Sequence, residues 1–544
     1  MARTTTSKWT LLLLLAASPA GAAEISVSTA PQLVSAFANA GPGDVIRLMP
    51  GTYALSAALW TGRDGTAAQP ILVTTAQIGD AKLDFNSVEA VVIDNAYWIV
   101  ERLWINGACA VAANCEAGVG VKPAATGFIL RESRLSNWIQ HVKAARTATE
   151  EVSDATLFGN EIYNDALRPN AGTAIDIVGG RRWHVIGNYI HDYGGDANGD
   201  YGIFLKGATS DGIVERNLVI CAHDRAGGGA TLGLSAGGGG TGGQFCPGGD
   251  CACEDTNSIF RNNIVLHCTD SGLHSRRACG SKFYNNIVYD TGAGFQVQVN
   301  STGAPVEIRN NLMSGHVVGG NNFVQSSNRF DVAAADFRRT YRDPDGADFA
   351  NGSDTSLVAG GATLPEVVDD YCGRTRSAHD FGAIETPAAC ATWPWTPPSG
   401  VVFPPRDGGV GPAPDASTPP ADAGTPPTDA GTPPADGGTP PRDGGTPPRD
   451  GGGSSDADAP IELDAGSPPI GGDAAAGRAD ASSPPPADAG TGAAGSGDGD
   501  RSIRGGCGCT SSGFSRGCLE IFALLSGLVA ISVLLRWRWR GRGR

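Results

Sequence analysis

The sequence predicts an all-β domain folded as a right-handed parallel β-helix, and three observations predict it. A short pattern recurs: Asn, any residue, then an aliphatic residue or Met. It stands at Asn160, Asn188, Asn217, Asn263, Asn286 and Asn311, in steps of 28, 29, 46, 23 and 25 residues. Short β-rich runs lie between these points, without helical periodicity. Repeats of this length are units that bury their apolar face only by stacking on one another. A propeller would need longer blades joined by hairpin turns. Asn at a fixed corner tolerates the left-handed α conformation. Its amide can also bond the same amide one coil away and form a ladder. Ser133, 27 residues before Asn160, is expected at the same place in the coil. The 46-residue step reads as one coil carrying an insertion, the Gly- and Cys-rich stretch from Ala226 to Cys253.

In chain order, residues 1–22 form a secretory signal peptide. Arg3 and Lys8 precede the apolar run Leu11 to Ala17, and Ala20-Gly21-Ala22 supplies small residues at a cleavage spacing. The run is too short to span a bilayer. The β-helix domain occupies 23–390. It opens with a helix capped by Thr29, with Pro31 in its first turn. Leu33, Phe37 and Ala40 share one face of that helix. An amphipathic helix there would cover the open core of the first coil.

Ten of the thirteen cysteines lie between Cys109 and Cys390, an even number in an exported chain. Cys109 with Cys115 and Cys372 with Cys390 are the close pairs. Cys221, Cys246, Cys251, Cys253, Cys268 and Cys279 allow three further bridges of open connectivity. Zinc is the rival at Cys246 to Cys253, but no His follows at a ligand spacing.

Residues 391–505 are a Pro-, Asp- and Gly-rich linker, with Asp422, Asp429, Asp436, Asp443 and Asp450 repeating every seven residues. Most of the net charge of −16 falls there rather than on the fold. Such a segment buries too little surface to fold and should act as a stalk reaching on the order of 200–300 Å. Residues 506–544 hold a Cys pair, an apolar run from Ile521 to Leu535, and Arg536, Arg538, Arg540, Arg542 and Arg544 interleaved with Trp537 and Trp539. The run falls short of the ~20 residues of a stable span. No basic patch precedes this tail, which excludes nucleic acid as a partner.

The tail resembles the MYXO-CTERM sorting signal of myxobacterial surface proteins. That resemblance implies cleavage by a sortase-like membrane protease at Cys507 and Cys509, and retention at the cell surface on the outer membrane. An ordinary transmembrane anchor is the alternative. Leu33 to Tyr53, with Pro42-Gly43-Asp44-Val45-Ile46-Arg47-Leu48 and Pro50-Gly51-Thr52-Tyr53, resembles the opening of pectate-lyase-like β-helix proteins, a group that includes alginate and chondroitin lyases. Asp370-Tyr371-Cys372-Gly373-Arg374 and Asp380-Phe381-Gly382-Ala383-Ile384-Glu385 resemble the closing segment of bacterial surface β-helix proteins. Both imply the fold rather than an activity.

One strand per coil aligns by its leading Gly and apolar pair: Gly118 to Lys122, Ile139 to Lys143, Ala174 to Val178, Gly202 to Lys206, Gly272 to Arg276 and Gly294 to Gln298. Alternation turns Val119, Val121, Ile203, Leu205, Leu273 and Ser275 inward. It leaves Lys122, His141, Lys143, Asp176, Lys206, His274, Arg276, Gln296 and Gln298 on an outward strip, with ~4.8 Å between coils. A long strip of cations and amides suits a polysaccharide partner, above all a uronate polymer. A uronate lyase needs a group to neutralise the carboxylate and a base for the C5 proton, roles open to Lys206, His274 and Arg276. Asp196, Asn198 and Asp200 resemble part of a calcium loop, which makes calcium the expected cofactor. Paired carboxylates for hydrolysis are not evident beyond Asp176, Asp192 and Asp200. The catalytic signature of the chondroitinase-like lyases is also not recognisable. Two function classes follow, for a chain expected to be a monomer: a polysaccharide lyase, or a non-catalytic surface module for glycan binding or adhesion. For the tail, exchanging both Cys507 and Cys509 for Ala should block processing or release the protein from cells, read by immunoblotting of membrane and medium fractions.

Overall fold

The computed structural model of the chain describes residues 22–386, apart from 198, 223–230, 239–240, 242–244, 247–250, 300–301 and 353. The signal peptide up to residue 21, Cys390, the linker, and the tail with Cys507 and Cys509 lie outside the described residues. Among the described residues no helix is long and apolar enough to cross a membrane.

Each coil gives one strand to each of three long parallel sheets. Ile129–Arg131 belongs to the first, Arg134–Ser136 to the second and Gln140–Ala145 to the third. The chain then returns to the first sheet at Thr156–Phe158, directly beside Ile129–Arg131. Among the described residues the three sheets hold 12, 10 and 10 strands, and a short parallel sheet of five strands closes some of the coils. The apolar core runs continuously inside, from Val27 to Met313. Stacking this regular makes the fold a parallel β-helix, and right-handed connection is the rule for parallel strands.

The six asparagines lie on one line at the turn from the first sheet to the second, and all are fully buried. Asn160 Nδ2 donates to Asn188 Oδ1 at 2.9 Å, and Asn188 Nδ2 to Asn217 Oδ1 at 3.0 Å. The chain of bonds continues through Asn263, Asn286 and Asn311. Each Oδ1 also accepts the backbone N–H of the preceding rung, as in Asn188 N to Asn217 Oδ1. Ser133 occupies the equivalent place, its N–H donating to Asn160 Oδ1. Asn328, which the spacing did not single out, is one further rung.

The conformational expectation for these asparagines needs correction. The left-handed residue is the one before each rung: Glu132, Gly159, Gly187, Arg216, Asn262, Asn285 and Asn310 have φ between 48° and 63°. The rung asparagine serves through its amide, which pairs buried backbone groups that the turn leaves unmatched.

The Ala226 to Cys253 stretch is more than an insertion. Thr231–Ala236 within it is a strand of the third sheet, between Asp200–Lys206 and Ser271–Arg276. Its alternation of Leu232 and Leu234 is hidden among glycines, of which Gly233 is required. A Cβ there would run into Val265 and the Gly272 carbonyl.

Helix α1 (Ala30–Asn39) begins with a capping box between Thr29 and Gln32 and buries Leu33, Ala36 and Phe37. These side chains join the core beside Trp98. At the other end the chain from Val332 to Ile384 lies along the outer face of the second sheet, over Leu218, Ile264, Ile287 and Leu312. It is fastened by the left-handed corner residues. Arg216 Nε donates to the Asp370 carbonyl at 3.1 Å, Asn262 Oδ1 accepts from Arg376, and Asn285 donates to the Asp380 carbonyl.

Cys109 pairs with Cys115, as the spacing predicts. The open connectivity resolves to Cys221–Cys268, Cys246–Cys251 and Cys253–Cys279, which leaves no thiolates there for zinc. Cys372 is also disulfide-bonded.

Removing one rung should unpair groups on both neighbouring coils. Asn217→Ala should destabilise the domain by roughly 2–4 kcal/mol. Asn328→Ala, at the half-buried end of the ladder, should cost well under half of that in the same urea titration.

Candidate functional site

The outer face of the third sheet is built from columns of residues in register. Lys143, Asp176, Phe204, Ser235, His274 and Gln296 stand on successive coils in one column. A parallel column carries Val178 and Lys206, with Lys122 and Arg276 at the corresponding strand ends. A register shift after Ser275 sets Arg276 beside Val299.

His141 does not belong to this face. It is fully buried and its Nε2 lies 2.9 Å from the Tyr163 carbonyl. Burial pushes its pKa down to about 4. Val119 pairs with Val142, so His141, not Ile139, aligns with Gly118, but a shift of two residues keeps the face and the cause lies in the strand itself. At this position the strand bends inward. A Cβ on Gly118 would meet Trp138, one on Gly202 would meet Val219, and one on Gly272 would meet Val288. The column therefore admits glycine, alanine and a single buried imidazole.

The remaining residues fall into two groups. In the first, Lys122 Nζ pairs with Glu89 at 2.8 Å, across the space left by Gly120. Lys143 donates to Asp176, and Lys206 Nζ lies 3.7 Å from the same carboxylate. Burial alone would raise the Asp176 pKa, but the Lys143 and Lys206 ammoniums outweigh it and hold the carboxyl below its usual range. Lys206 is only 8% exposed. Burial lowers its pKa and the Lys143 charge adds to this, against the opposing pull of Asp176. Beside this group opens a cleft of about 360 Å³, lined by Ser87, Glu89, Glu116, Gln140 and Lys143 among others.

The second group holds His274, Arg276, Gln296 and Gln298. Ser235 Oγ donates to the Gly237 carbonyl and lies 2.7 Å from His274 Nδ1. The imidazole therefore carries its proton on Nδ1, and the Gln298 side chain is its second partner. His274 is fully buried, which pushes its pKa down to about 4. Arg276 donates to Gln298 at 2.9 Å.

An apolar patch separates the two groups. Tyr201 and Phe204 stack at 3.9 Å between ring centroids, and Leu232 joins them. Lys206 Nζ sits 4.3 Å over the Phe204 ring. Gly238 lies so close to Phe204 that a Cβ would overlap the ring, so the chain leaving Thr231–Ala236 passes over this patch. The strip is thus two polar stretches rather than one.

At the turn proposed for calcium, Asp196 is exposed and its Oδ1 accepts the Asn170 N–H at 2.7 Å. Asp200 is buried. Its Oδ1 accepts the Gly172 N–H, and its Oδ2 has no hydrogen-bond partner. Burial raises its pKa to about 7, against the bonds from Gly172 and Gly195. Asn198 lies outside the described residues, and among those described no three His, Cys, Asp or Glu side chains are grouped to hold a metal ion. Asp192, the remaining carboxylate candidate, bonds His191 at the end of the strand Tyr189–His191 in the second sheet. Glu89 and Gln140 escaped the sequence alignment: Glu89 belongs to a coil before the Asn repeat begins, and Gln140 was lost to the two-residue register error.

No protein-family model matches the chain, and no curated protein matches it. Among solved structures it is similar to the pectate lyase Pel9A, at 17% identity and a TM-score of 0.48, over 64% of this chain and 90% of that one. An alginate lyase from Paenibacillus is similar at 19% identity and a TM-score of 0.39, over 56% of this chain and 99% of its own. A rhamnogalacturonan lyase matches at 12% identity and a TM-score of 0.38, over 55% and 84% of the respective chains.

Proposed function

We propose that this is a cell-surface protein that acts on an anionic polysaccharide, with β-elimination at a uronate residue as its chemistry. One observation carries the proposal: Lys143 and Lys206 share the single buried carboxylate of Asp176 beside an open cleft. Lys206 also feels the buried Glu254 carboxylate, so the place left for a further negative charge is at Lys143, where a substrate carboxylate would sit. Lys143, the more exposed of the two, would neutralise that carboxylate and so acidify the C5 proton. Lys206, with its lowered pKa, would take the proton. The electron pair then forms the C4–C5 double bond and expels the glycosidic oxygen, which takes a proton from water in the open cleft. Arg276 would serve the neighbouring stretch of the same chain molecule, with His274 buried behind it, and the Cys507–Cys509 tail would hold the domain at the surface.

The non-catalytic reading is favoured by a different observation. Lys122, Lys143, Lys206 and Arg276 each already have a partner, so the face is stable without substrate. Incubation with polygalacturonate, alginate and glucuronan, followed by absorbance of the unsaturated product, separates the two. A lyase should lose at least 100-fold in turnover in Lys206→Ala, with binding nearly kept. If no polymer yields product, the lyase proposal fails. A binder should then show affinity that falls with salt and with Lys143→Ala.

Calcium at Asp196, Asn198 and Asp200 belongs to the same proposal. Its support is the buried, unpartnered Asp200 Oδ2, an oxygen suited to a cation. Without a cation, the Asp200 pKa is raised above its unfolded value. Its favourable contribution is then complete below about pH 4 and is lost as pH rises through about 7. Asp200→Asn should therefore raise the melting temperature at pH 8 but not at pH 4. Millimolar calcium at pH 8 should raise it for the native chain alone. Equal calcium shifts in both proteins would remove the ion from this turn.

A further inference from the structure

Trp60 stands at the start of the face just described, in the strand Leu59–Trp60 at the edge of the third sheet. Its register partners on the next coils are Val92, Gly120 and Lys143, so it heads the column that leads to Asp176. The five tryptophans among the described residues differ in one respect. Trp98, Trp104, Trp138 and Trp183 each donate their indole N–H to a protein oxygen. Trp60 makes no such bond among the described residues, has no ring or cation partner there, and is 50% exposed. A large aromatic surface left open on a face that also carries Glu89, Lys122 and Lys143 marks a ligand contact more than a packing element.

We infer that Trp60 is the stacking platform of a pyranose subsite, with Glu89 and Lys122 as the pair that reads the sugar's hydroxyl groups. The inference rests on the polysaccharide reading above and adds a distinct recognition chemistry to it. Glu89 and Lys122 neutralise each other across Gly120, so this end carries no surplus charge for a carboxylate. It offers one acceptor and one donor group side by side, which match adjacent hydroxyls. The indole face covers the C–H side of the ring, and its free N–H serves a further hydroxyl. Trp60 lies three coil steps from Lys143, about 14 Å at the usual strand spacing. A chain molecule therefore meets a neutral, stacking contact at one end and the charged Lys143–Lys206 group a few sugar units along.

The test uses the exported native chain and its Trp60→Ala, Trp60→Phe and Lys143→Ala variants. Polygalacturonate, alginate and neutral galactan serve as probes in calorimetric titrations. Trp60→Ala should bind the best of these polymers roughly tenfold more weakly, and Trp60→Phe within about threefold of the native chain. The loss from Trp60→Ala should be the same in low and high salt, unlike that from Lys143→Ala. Saccharide should also quench the native fluorescence, and this change should vanish in Trp60→Phe. If Lys143→Ala weakens binding while Trp60→Ala binds as the native chain does, the subsite is refuted and the wider reading stands. If the native chain binds none of the three polymers, both are refuted.

Discussion

Everything on this molecule's surface is placed by one buried line of amides. A parallel coil must turn between its first and second sheets, and the turn leaves backbone N–H and carbonyl groups inside without partners. Unpaired buried groups of this kind cost about 1–3 kcal/mol each. The asparagines remove that cost on every coil. Asn217, for example, donates from Nδ2 to the Val185 carbonyl and to Asn263 Oδ1. Because each amide bonds the next, the coils cannot slip past one another by a residue. A slip would also turn every apolar side chain outward. Fixed register is what converts residues 23 to 46 positions apart in sequence into neighbours on a face.

The molecule then covers its outer faces unequally. The second sheet's apolar half is sheathed by the Val332 to Ile384 segment, anchored on Arg216, Asn262 and Asn285. Those left-handed corners do two things at once, since they shape the ladder turn and project side chains that hold the sheath. On the third sheet, Gly238, just after Thr231–Ala236, lies against Phe204 of the Tyr201–Phe204 patch. Trp60 and the Glu89, Lys122 and Lys143 side chains lie on the stretch before it. Uneven covering, rather than any single residue, separates a usable polar face from a packed one.

Much of this was legible in the sequence, and the limits have physical causes. The Asn spacing is a direct record of the ladder, because each rung must recur once per coil. Outward positions such as Lys206 and Arg276 followed from alternation. His141 did not, because the strand bends at its column and two successive positions face inward. The strand around Gly233 was missed because close packing on Val265 demands glycine, and glycine is also what a loop would show. Of the cystine pairing Cys109–Cys115 was legible, but the connectivity of the other six was not, since the coil geometry, not the spacing, brings Cys253 to Cys279.

Charge balance is the last constraint, and it bears most directly on chemistry. A lone buried ammonium would shed its proton, and a fully matched pair would be inert. The face avoids both with two lysines to one aspartate. Asp176 keeps Lys143 and Lys206 near each other, and their mutual repulsion adds to burial in weakening the hold of Lys206 on its proton. Glu254 also draws on Lys206, so the side of the group open to a further negative charge is Lys143. Under the proposed reading, a polymer carboxylate would meet Lys143 beside the Lys206 amine. The Glu89–Lys122 pair is balanced and lacks that demand. Unequal charge between the two ends would orient an acidic chain along the strip, with its hydroxyl-bearing end at Trp60 and its carboxylate at Lys143.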